Sequence, residues 1–149
     1  MQTIPDTVCY LNGEYTSLCD AKVSVLDRGF IFGDGVYEVV PVYAGKLFRF
    51  DEHMARLNRS LAKLRIANPH DSAQWLERCR KLVRALVDAS SEKTSALDQV
   101  VYIQVTRGVA LRDHVMPRDI TPTVFMMTSP MKPPSAEQRH AGVACVAAR

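Results

Sequence analysis

The stretch Asp27-Arg28-Gly29-Phe30-Ile31-Phe32-Gly33-Asp34-Gly35-Val36-Tyr37-Glu38-Val39-Val40 decides how the rest of the chain is read. Its three glycines fall within seven residues, so the backbone can bend sharply and take positive φ. The β-branched and aromatic run that follows predicts a strand from Val36 to Tyr43. A glycine turn feeding a strand presents that strand's first side chains, Tyr37 above all, to anything bound beside it. An ordinary β-turn before a strand has the same spacing. Pro41 lies inside the run and cannot donate to a ladder, so the strand is expected at an edge or bulged there.

Upstream, Val8 and Tyr10 predict a strand, Asn12-Gly13 a tight hairpin turn, and Glu14 to Thr16 the returning strand. Val23 to Val25 reads as a further short strand. Downstream, Ala44-Gly45 makes a second turn and Lys46 to Phe50 comes back. Asp51 is expected to cap a helix in which Met54, Leu57, Leu61 and Leu64 form one apolar stripe, ending at Asn68-Pro69. Asp71 and Gln74 have capping-box spacing. The helix they open places Trp75, Leu76, Cys79, Leu82, Val83, Leu86 and Val87 on one face. Trp75 and Cys79 are expected in the core.

Ser90 to Ser95 reads as a polar loop. Val100 to Thr106 is almost continuously apolar, the pattern of a central strand. Arg107-Gly108 breaks it, Val109 to Pro122 is a loop, and Thr123 to Thr128 is another strand. The prolines from Pro130 to Pro134 predict a stiff linker, with one more strand from Gly142 to Ala147. The expectation is an α+β fold: a small antiparallel sheet with two packed helices over residues 1–129, a linker over 130–135, and the truncated start of a second, β-rich domain over 136–149.

A chain of 149 residues, 47% apolar and 23% charged, can bury a core of ordinary globular type. The net charge of +3 is mild and its basic residues are scattered, which gives no electrostatic case for nucleic acid or membrane surfaces. No secretory leader pattern opens the sequence, and no segment approaches the roughly 20 apolar residues that span a bilayer. The reading is a soluble, cytoplasmic protein. The four cysteines and four histidines show no metal-ligand spacing.

Arg112 and His114 stand two apart in the polar loop, so an extended backbone turns both to the same side. A guanidinium fork beside an imidazole donor can hold a carboxylate, although on the residues alone a solvated loop with incidental charges is the simpler reading. Arg56, near the start of its helix, can serve phosphate or carboxylate, or simply occupy the polar face. Asp27 and Arg28 flank the glycine turn and are placed to pair locally. Glu38 lies on the strand face opposite Tyr37 and needs a partner if buried.

Three segments together carry a resemblance: Leu11-Asn12-Gly13, the string from Asp27 to Glu38, and Glu52-His53-Met54-Ala55-Arg56-Leu57. They are similar to the N-terminal half of the fold-type IV pyridoxal-phosphate enzymes, which include D-amino-acid aminotransferases, branched-chain aminotransferases and aminodeoxychorismate lyases. Val105-Thr106-Arg107-Gly108 with Arg112 and His114 most resembles the D-amino-acid subgroup. The resemblance implies that Tyr37, Arg112 and His114 bind the substrate α-carboxylate, the latter two in the active site of a partner subunit of a homodimer. It implies that Arg56 contacts the phosphate of pyridoxal 5'-phosphate.

Pro41 departs from the family, replacing a usual polar residue. The family's Schiff-base lysine is expected roughly ten residues past Arg149, a reach of about 35 Å if extended, so no catalytic residue is assigned within this chain. The expected activity is transfer of an amino group from an amino acid, of the D-alanine type, to a 2-oxo acid. Aminodeoxychorismate lyase or branched-chain aminotransferase activity on the same scaffold, and a non-catalytic fragment or dimerisation module, are the alternatives.

Overall fold

The computed structural model describes residues 5–90 and 97–147. Most of the loop expected from Ser90 to Ser95 lies outside the described residues. Six strands form one antiparallel sheet: β1 Val8–Leu11, β2 Glu14–Ser17, β3 Gly35–Tyr43, β4 Lys46–Leu47, β5 Gln99–Thr106 and β6 Thr123–Pro130. Their order across the sheet is β2-β1-β6-β5-β3-β4. The helices are α1 Arg28–Phe32, α2 Phe50–Leu64, α3 Ser72–Ala89 and α4 Ala136–Ala141. This is the α+β arrangement expected, with β5 central between β6 and β3.

Helices α2 and α3 cover one face of the sheet. Alternation along the strands sends Val40 and Val42 from β3, Val101, Ile103 and Val105 from β5, and Val124 and Met126 from β6 to that face, all buried. Met54, Leu57 and Leu61 meet them from α2, and Trp75, Cys79 and Leu82 from α3. Each such side chain contributes about 1.5–3 kcal/mol on burial, so these two apolar stripes dominate the fold's stability. Trp75 is held further by its indole N–H, which donates to Asn68 Oδ1 at 3.1 Å. The Asp71–Gln74 box closes as expected, with each side chain bonded to the other residue's backbone N–H.

Four local expectations are corrected. Val23–Val25 forms no strand: both valines are exposed, and among the described residues none pairs with them. Asp51 is not the cap of α2, because Phe50 packs against the core and starts the helix first; Arg49 precedes it at φ 50°, and Asp51 and Glu52 sit in the first turn, facing the helix dipole. The helix also stops at Leu64, before Asn68-Pro69, with Arg65 in the left-handed conformation. Residues 142–147 are not a strand; among the described residues none pairs with them, and α4 precedes them.

Pro41 causes no bulge. β3 pairs with β5 without interruption from Gly35 to Val42. The Pro41 carbonyl faces the other way and accepts from Phe48 N–H at 2.8 Å, so the missing N–H also faces away from β5. On that side only the two-residue β4 pairs with β3, at Val42 and Tyr43.

Candidate functional site

The glycine stretch is not a bare turn but one turn of helix. Asp27 caps α1 through Oδ1, which accepts from Gly29 N–H at 2.8 Å, and Gly33 ends it at φ 66°, where a side chain would be strained. Gly29 has no room for a Cβ: one placed there would stand 2.3 Å from Thr106 Cγ2. The local Asp27–Arg28 pairing is therefore replaced. Asp27 caps, and its Oδ2 accepts from Thr106 Oγ1 at 3.0 Å.

Arg28 instead turns inward. Its Nε donates to Asp34 Oδ2 at 2.9 Å, and Arg107 approaches the same carboxylate through Nε at 2.7 Å and Nη2 at 3.0 Å. Arg107 also donates to the carbonyls of Leu64 and Arg65 at the end of α2. Burial pushes the Asp34 carboxyl up, but the two arginines outweigh it and hold it below the ordinary carboxylate range. Sequence reasoning missed this triad.

β3 then splits its first side chains between two faces. Tyr37 is 68% exposed on the open face, its ring stacked on Tyr102 with centroids 5.9 Å apart. Glu38 is buried on the helix face, where α2 supplies the partners it needs. His53 Nδ1 lies 2.9 Å from Oε1, Arg56 Nε donates to Oε2 at 2.7 Å, and Arg56 Nη2 bonds Oε1. His53 and Arg56 are three apart and so share a helix face. Burial alone raises the Glu38 carboxyl; the bonds from Arg56, His53 and Val39 N–H reverse this and lower it. The Arg56 side chain is 56% exposed, which leaves part of its fork open to solvent.

Arg112 and His114 both lie against Phe32 at the end of α1. The His114 ring centroid is 5.7 Å from that of Phe32, and the Arg112 guanidinium carbon is 5.6 Å from it. The two residues thus lie near one aromatic ring, on a loop that bends where an extended backbone was expected. Among the described residues no hydrogen bond, ion pair or ring contact joins either to Tyr37. A groove of about 840 Å³ beside Tyr10, His70, Arg78 and Arg118 is lined by none of Tyr37, Arg56, Arg112 or His114.

Solved structures share this architecture. The chain aligns with branched-chain amino acid aminotransferase from Escherichia coli at a TM-score of 0.72 and 22% identity, over 85% of this chain and 42% of that one. It aligns with 4-amino-4-deoxychorismate lyase from Pseudomonas aeruginosa at a TM-score of 0.64 and 26% identity, over 91% and 44%. The fold is that of an aminotransferase N-terminal domain. The family model for amino-transferase class IV matches residues 35–149, and the chain belongs to that family. Among curated relatives, a D-alanine aminotransferase of Staphylococcus aureus (strain N315) is 42% identical over 120 residues, 80% of this chain and 40% of that protein. One of Bacillus licheniformis is 38% identical over 137 residues, 92% of this chain and 45% of that protein. The chain thus spans less than half the length of these relatives.

Proposed function

We propose that the protein containing this chain is a pyridoxal-phosphate-dependent aminotransferase that moves the amino group of a D-amino acid, such as D-alanine, to a 2-oxo acid. The observation that carries the reading is the 42% identity over 120 residues to a D-alanine aminotransferase. It is supported by Arg112 and His114, two carboxylate-type donors against one ring. The protein is proposed to work in the cytoplasm as a homodimer. Residues 1–129 form its small domain, 130–135 the linker, and 136–149 the opening of a second domain.

The residues present fit the cofactor. Arg56 is anchored on one edge by Glu38 and open on the other, which suits a phosphate. When bound, pyridoxal phosphate supplies the electron sink for bond breaking at the amino acid's α-carbon. Arg56 would grip the phosphate, while Tyr37 of one subunit with Arg112 and His114 of the other would orient the substrate carboxylate. No residue of this chain is assigned a proton transfer.

The test is the full-length protein with D-alanine and 2-oxoglutarate, following pyruvate formation and comparing L-alanine. Pyruvate from D-alanine alone is expected; its absence overturns the reading. The alternative, elimination on the same scaffold, has the 26% identity to a 4-amino-4-deoxychorismate lyase behind it, while the Arg112–His114 spacing speaks against it. Product analysis with aminodeoxychorismate separates the two.

A further inference from the structure

We infer that Arg28 is a positioning residue for substrate recognition, holding the Arg112–His114 pair in place through the backbone between them. The inference rests on the proposed carboxylate role of that pair. Arg28 is 4% exposed and its side chain makes four contacts, one of them from Nη2 to the Met116 sulfur at 3.9 Å. Nε is fixed on Asp34, Nη1 donates to the Asp113 carbonyl at 2.9 Å, and the guanidinium carbon stands 4.6 Å from the Phe32 ring centroid. Asp113 is the residue between Arg112 and His114, and Phe32 is the ring both of them touch. One buried guanidinium therefore fixes the middle of the recognition segment and the surface beneath it.

The stem of the loop is secured to the same element. Arg28 N–H donates to the Gly108 carbonyl at 2.9 Å, Arg107 N–H to that of Asp34 at 3.0 Å, and Ala110 N–H to that of Leu26 at 3.3 Å. Beyond Ala110 the loop pairs with no strand among the described residues. Leu111, Val115 and Met116 are exposed, so the Arg28 contacts to the Asp113 carbonyl and the Met116 sulfur are main restraints on residues 111–116. A carboxylate clamp depends on the placement of its donors, because hydrogen bonds weaken steeply once distance and angle leave their preferred range. Arg28 supplies that placement without touching the substrate. Asp34 keeps Arg107 when Arg28 is replaced, so the network retains one ion pair and the fold its anchor.

The experiment uses the full-length holoenzyme with Arg28→Gln, Arg28→Lys and Arg112→Met. In Arg28→Gln, the KM for D-alanine and the inhibition constant of propionate, a carboxylate without an amine, should each rise about tenfold, with kcat within twofold. Backbone amides of residues 110–116 should exchange faster, with those of β5 unchanged. Arg28→Lys, which keeps a charge for Asp34, should recover part of the KM. A fall in kcat at unchanged KM, or unchanged exchange in the loop, overturns the inference. If Arg112→Met raises KM and Arg28→Gln does not, the clamp reading stands and the positioning role fails. If Arg112→Met leaves KM unchanged, the clamp reading fails and the inference with it. Should Arg28→Gln not fold, Phe32→Leu removes the shared ring and is held to the same KM and exchange criteria.

Discussion

Arg56 and Glu38 meet across the packing of α2 on β3, with Arg56 Nε 2.7 Å from Oε2 of a carboxylate that is 2% exposed. The pair is asymmetric. Glu38 is sealed in and wholly committed, whereas Arg56 is half in solvent. A buried anion here fixes the direction of a half-exposed cation, because hydrogen bonds to charged groups hold orientation strongly.

Replacing Glu38 by Gln removes the charge and one of the two acceptors. The affinity of the full-length apo protein for pyridoxal phosphate should fall about tenfold, read by absorbance titration, because bonds to charged groups are worth about 1.5–3 kcal/mol. Unchanged affinity would separate Glu38 from cofactor binding.

Acid should destabilise the protein in two windows. His70 is driven below its ordinary 6.5 by burial and by Arg78, so the folded state favours the neutral ring. Its contribution is complete above 6.5 and is lost as pH falls from there to its lowered value, since the unfolded chain takes up the proton first. Asp34 and Glu38 lie below their ordinary 3.8 and 4.5, so their contribution is complete above those values and drains as pH falls through the lowered ones. Thermal unfolding across pH 8 to 2.5 should show both declines. Asp34→Asn should abolish much of the second and cost about 3–5 kcal/mol at pH 7 by leaving two buried arginines uncompensated.

Gly29→Ala should cost about 1–3 kcal/mol, because its Cβ collides with the Thr106 methyl at 2.3 Å. Thr106→Ser in the same chain removes that methyl and keeps the hydroxyl bonded to Asp27. Part of the Tm loss should return. A double variant no more stable than Gly29→Ala would place the strain elsewhere.

Cys79 is fully buried, and burial pushes its thiol up to about 12. Iodoacetamide at pH 8 should therefore leave Cys79 unmodified in the native protein while exposed Cys145 reacts, with peptide mass spectrometry as the readout. Modification of Cys79 at the rate of Cys145 would mean that α3 opens readily.

What the sequence made legible was what is local. The Trp75 face and the Asp71–Gln74 box are set by spacings of three and four, and both are found. The same locality misleads at Asp27, whose sequence neighbour Arg28 is not its partner. The helix terminus competed for that carboxylate and took it. Asp34 and Arg107 are 73 residues apart, and no periodicity brings them together; only the pairing of β3 with β5 does. Glu38 was legible as a carboxylate needing partners, but not which ones, since that depends on where α2 lands. The contact of Arg28 with the stretch between Arg112 and His114 was not legible, because it runs through the Asp113 backbone carbonyl.

Pro41 has an effect beyond its own strand. The outward rim of β3 lacks a donor at Pro41, and Val39 N–H is taken by the Glu38 carboxylate. Gly35 N–H is occupied by the Gly33 carbonyl. A flank so short of free N–H groups gives a stray polypeptide little to zip onto. Pro41 thus removes one of the donors that a stray strand would need to extend the sheet at this rim.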